Sequence, residues 1–347
     1  MAVATTMSGV VLTGHGGPET LEWRDDLAVP ALAETDVLVE VRAAGVNNTD
    51  INTRIGWYSK GDFEAEDASW SGTPLSLPRI QGADVCGVIA DVGAAVDRGR
   101  IGERVLIEPC LVEADGHILE TSWYFGSECD GGFAQYARVA ERHAHRVESA
   151  LSDVELASFP CSYSTAENML TRAGVAAGET VLVTGASGGV GSAAVQLARA
   201  RGARVIAVTS AAKAERLRAL GAERTLDRGD DPAAVLGHSA VDVVVDLVGG
   251  SSWPSLLDVM KPHGRYSVAG AIGGHTVPLD LRTLYLKDLS FFGCTVLGDG
   301  VFAALVKRIE SGEIQPLVAQ TFPLREIAAA QEAFGEKGYV GKIVLEV

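Results

Sequence analysis

The sequence predicts an α/β protein in two parts: a doubly wound parallel sheet, preceded by a β-rich domain that reads as a partly closed barrel. Residues 180–210 run as an apolar strand, a glycine-rich turn, an Ala-rich helix and a second apolar strand without interruption, which is a βαβ unit. Near residue 150 the patterning changes from short strands between Gly, Asp and Pro to helices alternating with apolar strands. A length of 347 residues with 47% apolar content supplies side chains for two cores.

In the first part, residues 1–150, segments 7–14 and 36–43 alternate or run apolar between turn formers, and Gly16-Gly17-Pro18 marks a turn. Further strands are expected near 88–92, 103–107 and 133–139. Residues 59–78 are polar, contain Gly and Pro and carry Trp70, so they read as a surface excursion; residues 108–129 read as a loop. In the second part, 151–300, Ser152 and Glu155 frame a capped helix start, and strands follow at 181–183, 204–208, 241–248, 266–271 and 289–297. Residues 301–347 then give an amphipathic helix over 301–309 and a terminal strand over 341–347 that returns to the first domain.

The glycine turn carries the clearest chemistry. Gly185 ends the first strand, Gly188 lets backbone approach a pyrophosphate that a β-carbon would obstruct, and Gly191 lets the following helix pack closely. Ala186 takes the first place of the usual G-x-G-x-x-G, so Ala186, Ser187, Gly188, Gly189, Val190 and Gly191 form the expected phosphate turn, with helix N–H groups aimed at the phosphates. Leu247 and Val248, and Ala269, Gly270 and Ala271, lie at the carboxyl ends of predicted strands, where ligands of open α/β sheets sit. The second strand ends without Asp or Glu, while Ser210 and Lys213 follow it; these suit a 2′-phosphate and favour NADPH over NADH, with Arg216 a weaker candidate on a solvated helix face.

A net charge of −16 disfavours nucleic acid and acidic lipid surfaces. No apolar run is long enough to span a bilayer and no export signal is visible, so no membrane association is expected. Five scattered cysteines without C-x-x-C spacing suggest neither a disulfide framework nor a thiolate cage, and a cytoplasmic location is expected.

Taken in order, Gly16-Gly17-Pro18, the 45–50 segment Gly-Val-Asn-Asn-Thr-Asp, the 82–87 segment Gly-Ala-Asp-Val-Cys-Gly, Gly102-Glu103-Arg104-Val105, the 130–136 segment Asp-Gly-Gly-Phe-Ala-Gln-Tyr, the glycine turn and Gly341-Lys342-Ile343-Val344 make the chain resemble the medium-chain dehydrogenases/reductases from end to end. It is most similar to their quinone oxidoreductase and enoyl reductase branch. The resemblance implies a GroES-like catalytic domain, a Rossmann domain, a small-molecule electrophilic substrate and a homodimer formed through the edge strand near 291–296. Zinc-dependent members place ligands where this chain has Asn47, Ala83 and Cys161, and four cysteines of a structural zinc lobe where it has only Cys110 and Cys129. One catalytic ligand of three is a poor tetrahedral set, so no metal is expected and Cys161 reads as a core or cleft thiol.

Without a Lewis acid to hold an alkoxide, hydride transfer to a conjugated carbon is favoured: reduction of a quinone, enone or enoyl compound. The resemblance carries Thr165 over as the residue beside the nicotinamide ribose, sets Asn47 and Asp50 at the polar positions of the zinc-free branch, and puts Tyr58 at the spacing of the enoyl reductases' tyrosine. Tyr58 and Asn47 could then donate to an enolate oxygen; alternatively Tyr58 and Trp57 form a pocket wall and water gives the proton. Residues 123–125, Trp-Tyr-Phe, together with Trp57, offer surfaces on which a flat substrate could stack. Lys342 is assigned either to the cofactor site or to a fold-closing strand. Two rival functions stand beside this reading: an alcohol dehydrogenase with an altered zinc site, and a non-catalytic NADPH-binding regulator.

Overall fold

The computed structural model describes residues 4–58 and 74–347; the excursion bearing Trp70 falls for the most part outside them. The chain divides into two compact units, one of residues 1–161, 316–338 and 342–347, the other of residues 162–315 and 339–341. The first unit therefore runs through Cys161, and the helix Val301–Glu310, expected in the returning segment, belongs to the second.

In the first unit a mixed seven-stranded sheet runs in the order Ala144–Arg146, Arg104–Ile107, Asp84–Val92, Asp36–Val46, Lys342–Glu346, Val318–Pro323, with Tyr136–Ala140 also pairing with Asp36–Val46. A three-stranded sheet, Leu21–Ala28, Thr6–Leu12 and Arg79–Ile80, stands beside it. Both sheets are open, so the GroES-like architecture holds without a closed barrel. The 108–129 stretch, expected as a loop, instead contains the antiparallel strands Cys110–Ala114 and His117–Tyr124. Its partners lie within the stretch itself, and exposed residues such as Ile118 blur the alternation that marks a strand.

The register of the central strands sets up the site. Gly45 pairs with Asp84 on one side and with Val344 on the other, and Val46 pairs with Ile343. Asn47, which follows Val46, Asp84, and Lys342, which precedes Ile343, therefore emerge at the same end of the sheet. Gly45 is required there: a β-carbon would stand 2.5 Å from Asp84 Oδ2 and 2.8 Å from the Ala157 carbonyl oxygen.

The second unit holds a six-stranded, wholly parallel sheet in the order Arg224–Asp227, Arg204–Thr209, Thr180–Val183, Val241–Asp246, Met260–Val268, Ser290–Gly293. Val181, Leu182, Val183, Val243, Val244 and Val245 are fully buried, as strands covered on both faces require. The chain reverses direction across the sheet between Thr180–Val183 and Val241–Asp246, the switch point of a doubly wound fold. Trp253, Tyr266 and Phe291 pack edge-on or tilted beneath the last strands, with centroids 4.7 to 5.6 Å apart.

Candidate active site

The polar centre of the first unit forms where three strand ends meet. Lys342 Nζ lies 2.6 Å from Asp84 Oδ2 and 2.5 Å from Asn47 Oδ1. Asn47 Nδ2 donates to Asp84 Oδ2 at 2.9 Å and to the Gly45 carbonyl at 3.4 Å. Asp84 Oδ1 accepts the Cys161 backbone N–H at 2.5 Å. Lys342 is 2% exposed and Asp84 is fully buried, so this is an ion pair removed from water and stitched by hydrogen bonds.

One expectation is corrected here. Asn47 is not placed to donate to a substrate oxygen, because both of its amide hydrogens are engaged by Asp84 and Gly45. Lys342, assigned either to the cofactor site or to a fold-closing strand, opens the terminal strand, and its ammonium meets Asp84 and Asn47. Asp84, read in the sequence only as a mismatch beside a missing ligand, is the hub. The available signal was a carboxylate at the start of an otherwise apolar strand, which demands a partner cation.

Asp50 sits at the third position of the short helix Asn48–Arg54 and forms a capping box with Asn47, accepting the Asn47 backbone N–H at 2.7 Å. Burial pushes its carboxyl up to about 7, against the opposing pull of the Asn47 N–H and the Lys342 charge. Gln81 Nε2 donates to the Asp50 carbonyl at 2.8 Å, and Arg54 Nε reaches Gln331 Oε1 at 2.9 Å, so the helix is tied at both ends. That helix leads into Trp57 and Tyr58, whose rings meet edge to face 5.4 Å apart. Tyr58 is half-buried, and its hydroxyl donates to Thr49 Oγ1 at 3.3 Å. Burial raises its pKa, so the hydroxyl stays a donor at neutral pH. Trp57 is 42% exposed.

The stacking surface expected at 123–125 shrinks to Trp123, since Tyr124 and Phe125 are buried. Tyr124 instead turns its hydroxyl to Cys161 Sγ at 2.9 Å, and burial pushes the Cys161 thiol up to about 12. Cys161 is thus a protonated core thiol. A zinc ion does not fit these residues: position 47 is an amide, position 83 a methyl, and Asp84 is already bound to an ammonium. Among the described residues no three His, Cys, Asp or Glu side chains converge to hold a metal.

In the second unit the glycine turn takes the shape the sequence requires. Gly185 adopts φ +56°, and a β-carbon on Gly191 would collide with the Gly185 carbonyl and stand 2.6 Å from Ala186 Cα. The helix Gly189–Ala200 has Gly188 as its N-cap, which brings no side chain, so its first N–H groups can face an anion. At Gly188 a β-carbon would meet only the Gly185 carbonyl oxygen, at 3.5 Å, leaving the turn open where a pyrophosphate would lie. Ser187 and Val190 flank the opening, and Thr165 lies on the helix Pro160–Arg172.

The 247–249 loop is held from within. Asp246, fully buried, accepts Thr184 Oγ1 and Tyr266 OH, each at 2.5 Å, and the N–H groups of Val248 and Gly249 at 2.9 and 3.2 Å; Leu247 N–H donates to Thr184 Oγ1 at 2.9 Å. The amides of Leu247 and Val248 therefore bind their own fold, and only the remaining groups of that loop can meet a ligand. Ala269 N–H points to the Asp246 carbonyl, while Gly270 and Ala271 are partly exposed at the strand end. At the tip of Arg204–Thr209, Thr209 Oγ1 is buried without a partner among the described residues, and Ser210 begins the next helix. Partial burial lowers the Lys213 pKa, and the nearby Arg228 charge lowers it further. Sequence reading missed Arg228, which lies beyond the next strand. The Asp227 carboxylate turns back to the N–H groups of Ala211 and Gly229.

A six-stranded sheet of this order, with a glycine turn at its switch point, defines the class: a Rossmann-type domain of the dinucleotide-binding kind. Residues 33–149 match the alcohol dehydrogenase GroES-like domain and residues 189–311 the zinc-binding dehydrogenase family. The chain is 30% identical to the quinone oxidoreductase of Pongo abelii, over 98% of this chain and 97% of that one. It is also 30% identical to the NADPH-dependent alkenal/one oxidoreductase of Arabidopsis thaliana, over 99% of this chain and 80% of that one. A solved structure from Sinorhizobium meliloti 1021, a candidate alcohol dehydrogenase, superposes with a TM-score of 0.92 at 47% identity, covering 99% of this chain and 97% of its own. The chain belongs to the medium-chain dehydrogenase/reductase superfamily and is an oxidoreductase of that family.

Proposed function

We propose that the protein is a zinc-independent, NADPH-dependent oxidoreductase that reduces a conjugated acceptor, a quinone, enone or enoyl compound. The observation that carries this is the Lys342–Asp84–Asn47 cluster: an ammonium and an amide occupy the corner where a zinc-dependent relative needs ligands, and Asp84 has no free charge to offer a metal. An alkoxide has no Lewis acid here, whereas an acceptor that spreads charge over a conjugated system needs none.

The glycine turn, Ser187 to Gly191, would hold the pyrophosphate, and Ser210, Lys213 and Arg228 would receive a 2′-phosphate. When bound, the cofactor supplies the hydride. Thr165, Gly270 and Ala271 would orient the nicotinamide end. Trp57 offers the flat face for the acceptor, and the Tyr58 hydroxyl, kept protonated, steadies charge developing on its oxygen. The final proton comes from Tyr58 or from water.

The same reading extends to a homodimer in the cytoplasm. Ser290–Gly293 is the outermost strand of its sheet, and Leu286 and Val296 beside it in sequence are 71% and 46% exposed.

The test is NADPH consumption by the purified protein with quinones, enones and enoyl thioesters, against ketones and aldehydes, and with NADH in parallel. Turnover confined to the conjugated acceptors and faster with NADPH supports the reading. Turnover of simple ketones alone favours the alcohol dehydrogenase reading, and NADPH binding without turnover favours a regulator.

A further inference from the structure

We propose that Lys342 is a positioning residue: its ammonium, clamped between Asp84 and Asn47, holds the segment that carries Thr49 and Tyr58 in working geometry from inside the first unit and is not a ligand of the cofactor. The inference rests on the functional reading above but is carried by separate contacts.

Lys342 reaches Asp84 Oδ2 at 2.6 Å and Asn47 Oδ1 at 2.5 Å, with the whole residue 2% exposed. A carboxylate and an ammonium brought together out of water hold their geometry only if the remaining lone pairs and protons find partners. They do: Asp84 also takes the Asn47 amide and the Cys161 N–H, and Asn47 passes the constraint on through its capping box with Asp50. Asn47 is the N-cap of Asn48–Arg54 and its backbone N–H is held by Asp50, so a residue fixed by its side chain to Asp84 and Lys342 also anchors the start of that helix. Thr49 in its first turn and Tyr58 just beyond its end are joined by the Tyr58 hydroxyl bond. Three strand ends from opposite parts of the chain thus converge on one cation, which sets the position of the aromatic pair without touching it.

This cation differs from one recruited to bind phosphate. A lysine binds phosphate by offering its ammonium to the ligand's oxygens, whereas this one already faces a carboxylate and an amide oxygen and is 2% exposed. Removing only the lysine leaves Asp84 buried and uncompensated, and removing both charges relieves that cost.

The experiment compares Lys342→Met, Lys342→Arg, Asp84→Asn and the double variant Lys342→Met/Asp84→Asn in the full-length protein. Four readouts are needed: NADPH affinity by fluorescence titration, kcat, KM for the acceptor, and the thermal midpoint. Lys342→Met is expected to lower the thermal midpoint and to cut kcat by about tenfold or more, with NADPH affinity changed less than about twofold. The double variant is expected to recover most of the lost midpoint but not the lost kcat, because the clamp is still absent, and Lys342→Arg is expected to recover part of both. If Lys342→Met does not fold, the double variant decides alone: folded with NADPH affinity kept and kcat still cut by about tenfold or more supports the proposal, and folded with wild-type kcat overturns it. Weakened NADPH affinity with kcat intact would make Lys342 a cofactor ligand and overturn it. If the wild-type protein turns over none of the acceptors, the functional reading fails by itself. The thermal midpoints and the NADPH titration still decide the role of the pair in that case, since midpoints that do not recover in the double variant overturn it.

Discussion

The Asp246 carboxylate lies 2.5 Å from the Tyr266 hydroxyl in the core of the parallel sheet, and the same carboxylate gathers Thr184 and the amides of Val248 and Gly249. One buried acid therefore shapes the loop at the sheet's switch point. Asp246→Asn would remove the charge that four donors share and turn one acceptor oxygen into an NH2 group that faces groups now donating to it. A lower thermal midpoint and NADPH binding weaker by roughly tenfold are expected, checked by melting and titration. Unchanged binding in a folded variant would detach the loop from the cofactor.

Gly191→Ala tests the phosphate turn. The added β-carbon would collide with the Gly185 carbonyl and with Ala186 Cα, both backbone atoms that cannot swing aside. Loss of most NADPH affinity, together with a cost of about 1–3 kcal/mol in stability, is expected from titration and denaturant unfolding.

Cofactor choice is tested at Lys213 and Arg228. Each charge-assisted contact to a 2′-phosphate contributes about 1.5–3 kcal/mol, so Lys213→Ala is expected to raise KM for NADPH by roughly tenfold or more, leaving KM for NADH nearly unchanged. Arg228→Ala is expected to act in the same direction. Equal losses with both cofactors would remove these residues from the phosphate site.

Asp50 gives a pH signature. Its folded carboxyl titrates at about 7, above the ordinary value of about 4, so its contribution to stability is fully present below about pH 4 and lost as pH rises through about 7. The groups facing it are the Asn47 and Ala83 N–H groups, Lys342 and Asp84, with Tyr58 and Cys161 within electrostatic reach. Asp50→Asn cannot ionise. Its thermal midpoint relative to wild type is therefore expected to rise between pH 4 and pH 8, and a difference that stays flat would show that Asp50 does not titrate in this range.

The strands and the glycine turn were legible because their signals are local: β-branched runs such as Val243–Val245, and glycines at fixed offsets from Gly185. The site was legible only by residue type. Asn47 and Lys342 lie 295 positions apart, and nothing in either neighbourhood shows that strand register brings them together. Their meeting through Asp84 engages the Asn47 amide within the fold and puts the Lys342 ammonium in the same cluster. Tyr124 and Phe125 misled for a related reason: an aromatic run reads as a surface until the hairpin that buries it is known. Arg228 was hidden because a neighbouring strand, not sequence proximity, brings it near Lys213.

The most direct test of zinc-independent reduction is turnover of a conjugated acceptor by NADPH after exhaustive chelation, with metal content measured on the same sample. Full kcat in protein with no stoichiometric zinc is the expected result. Activity that disappears on chelation and returns with added zinc would contradict it.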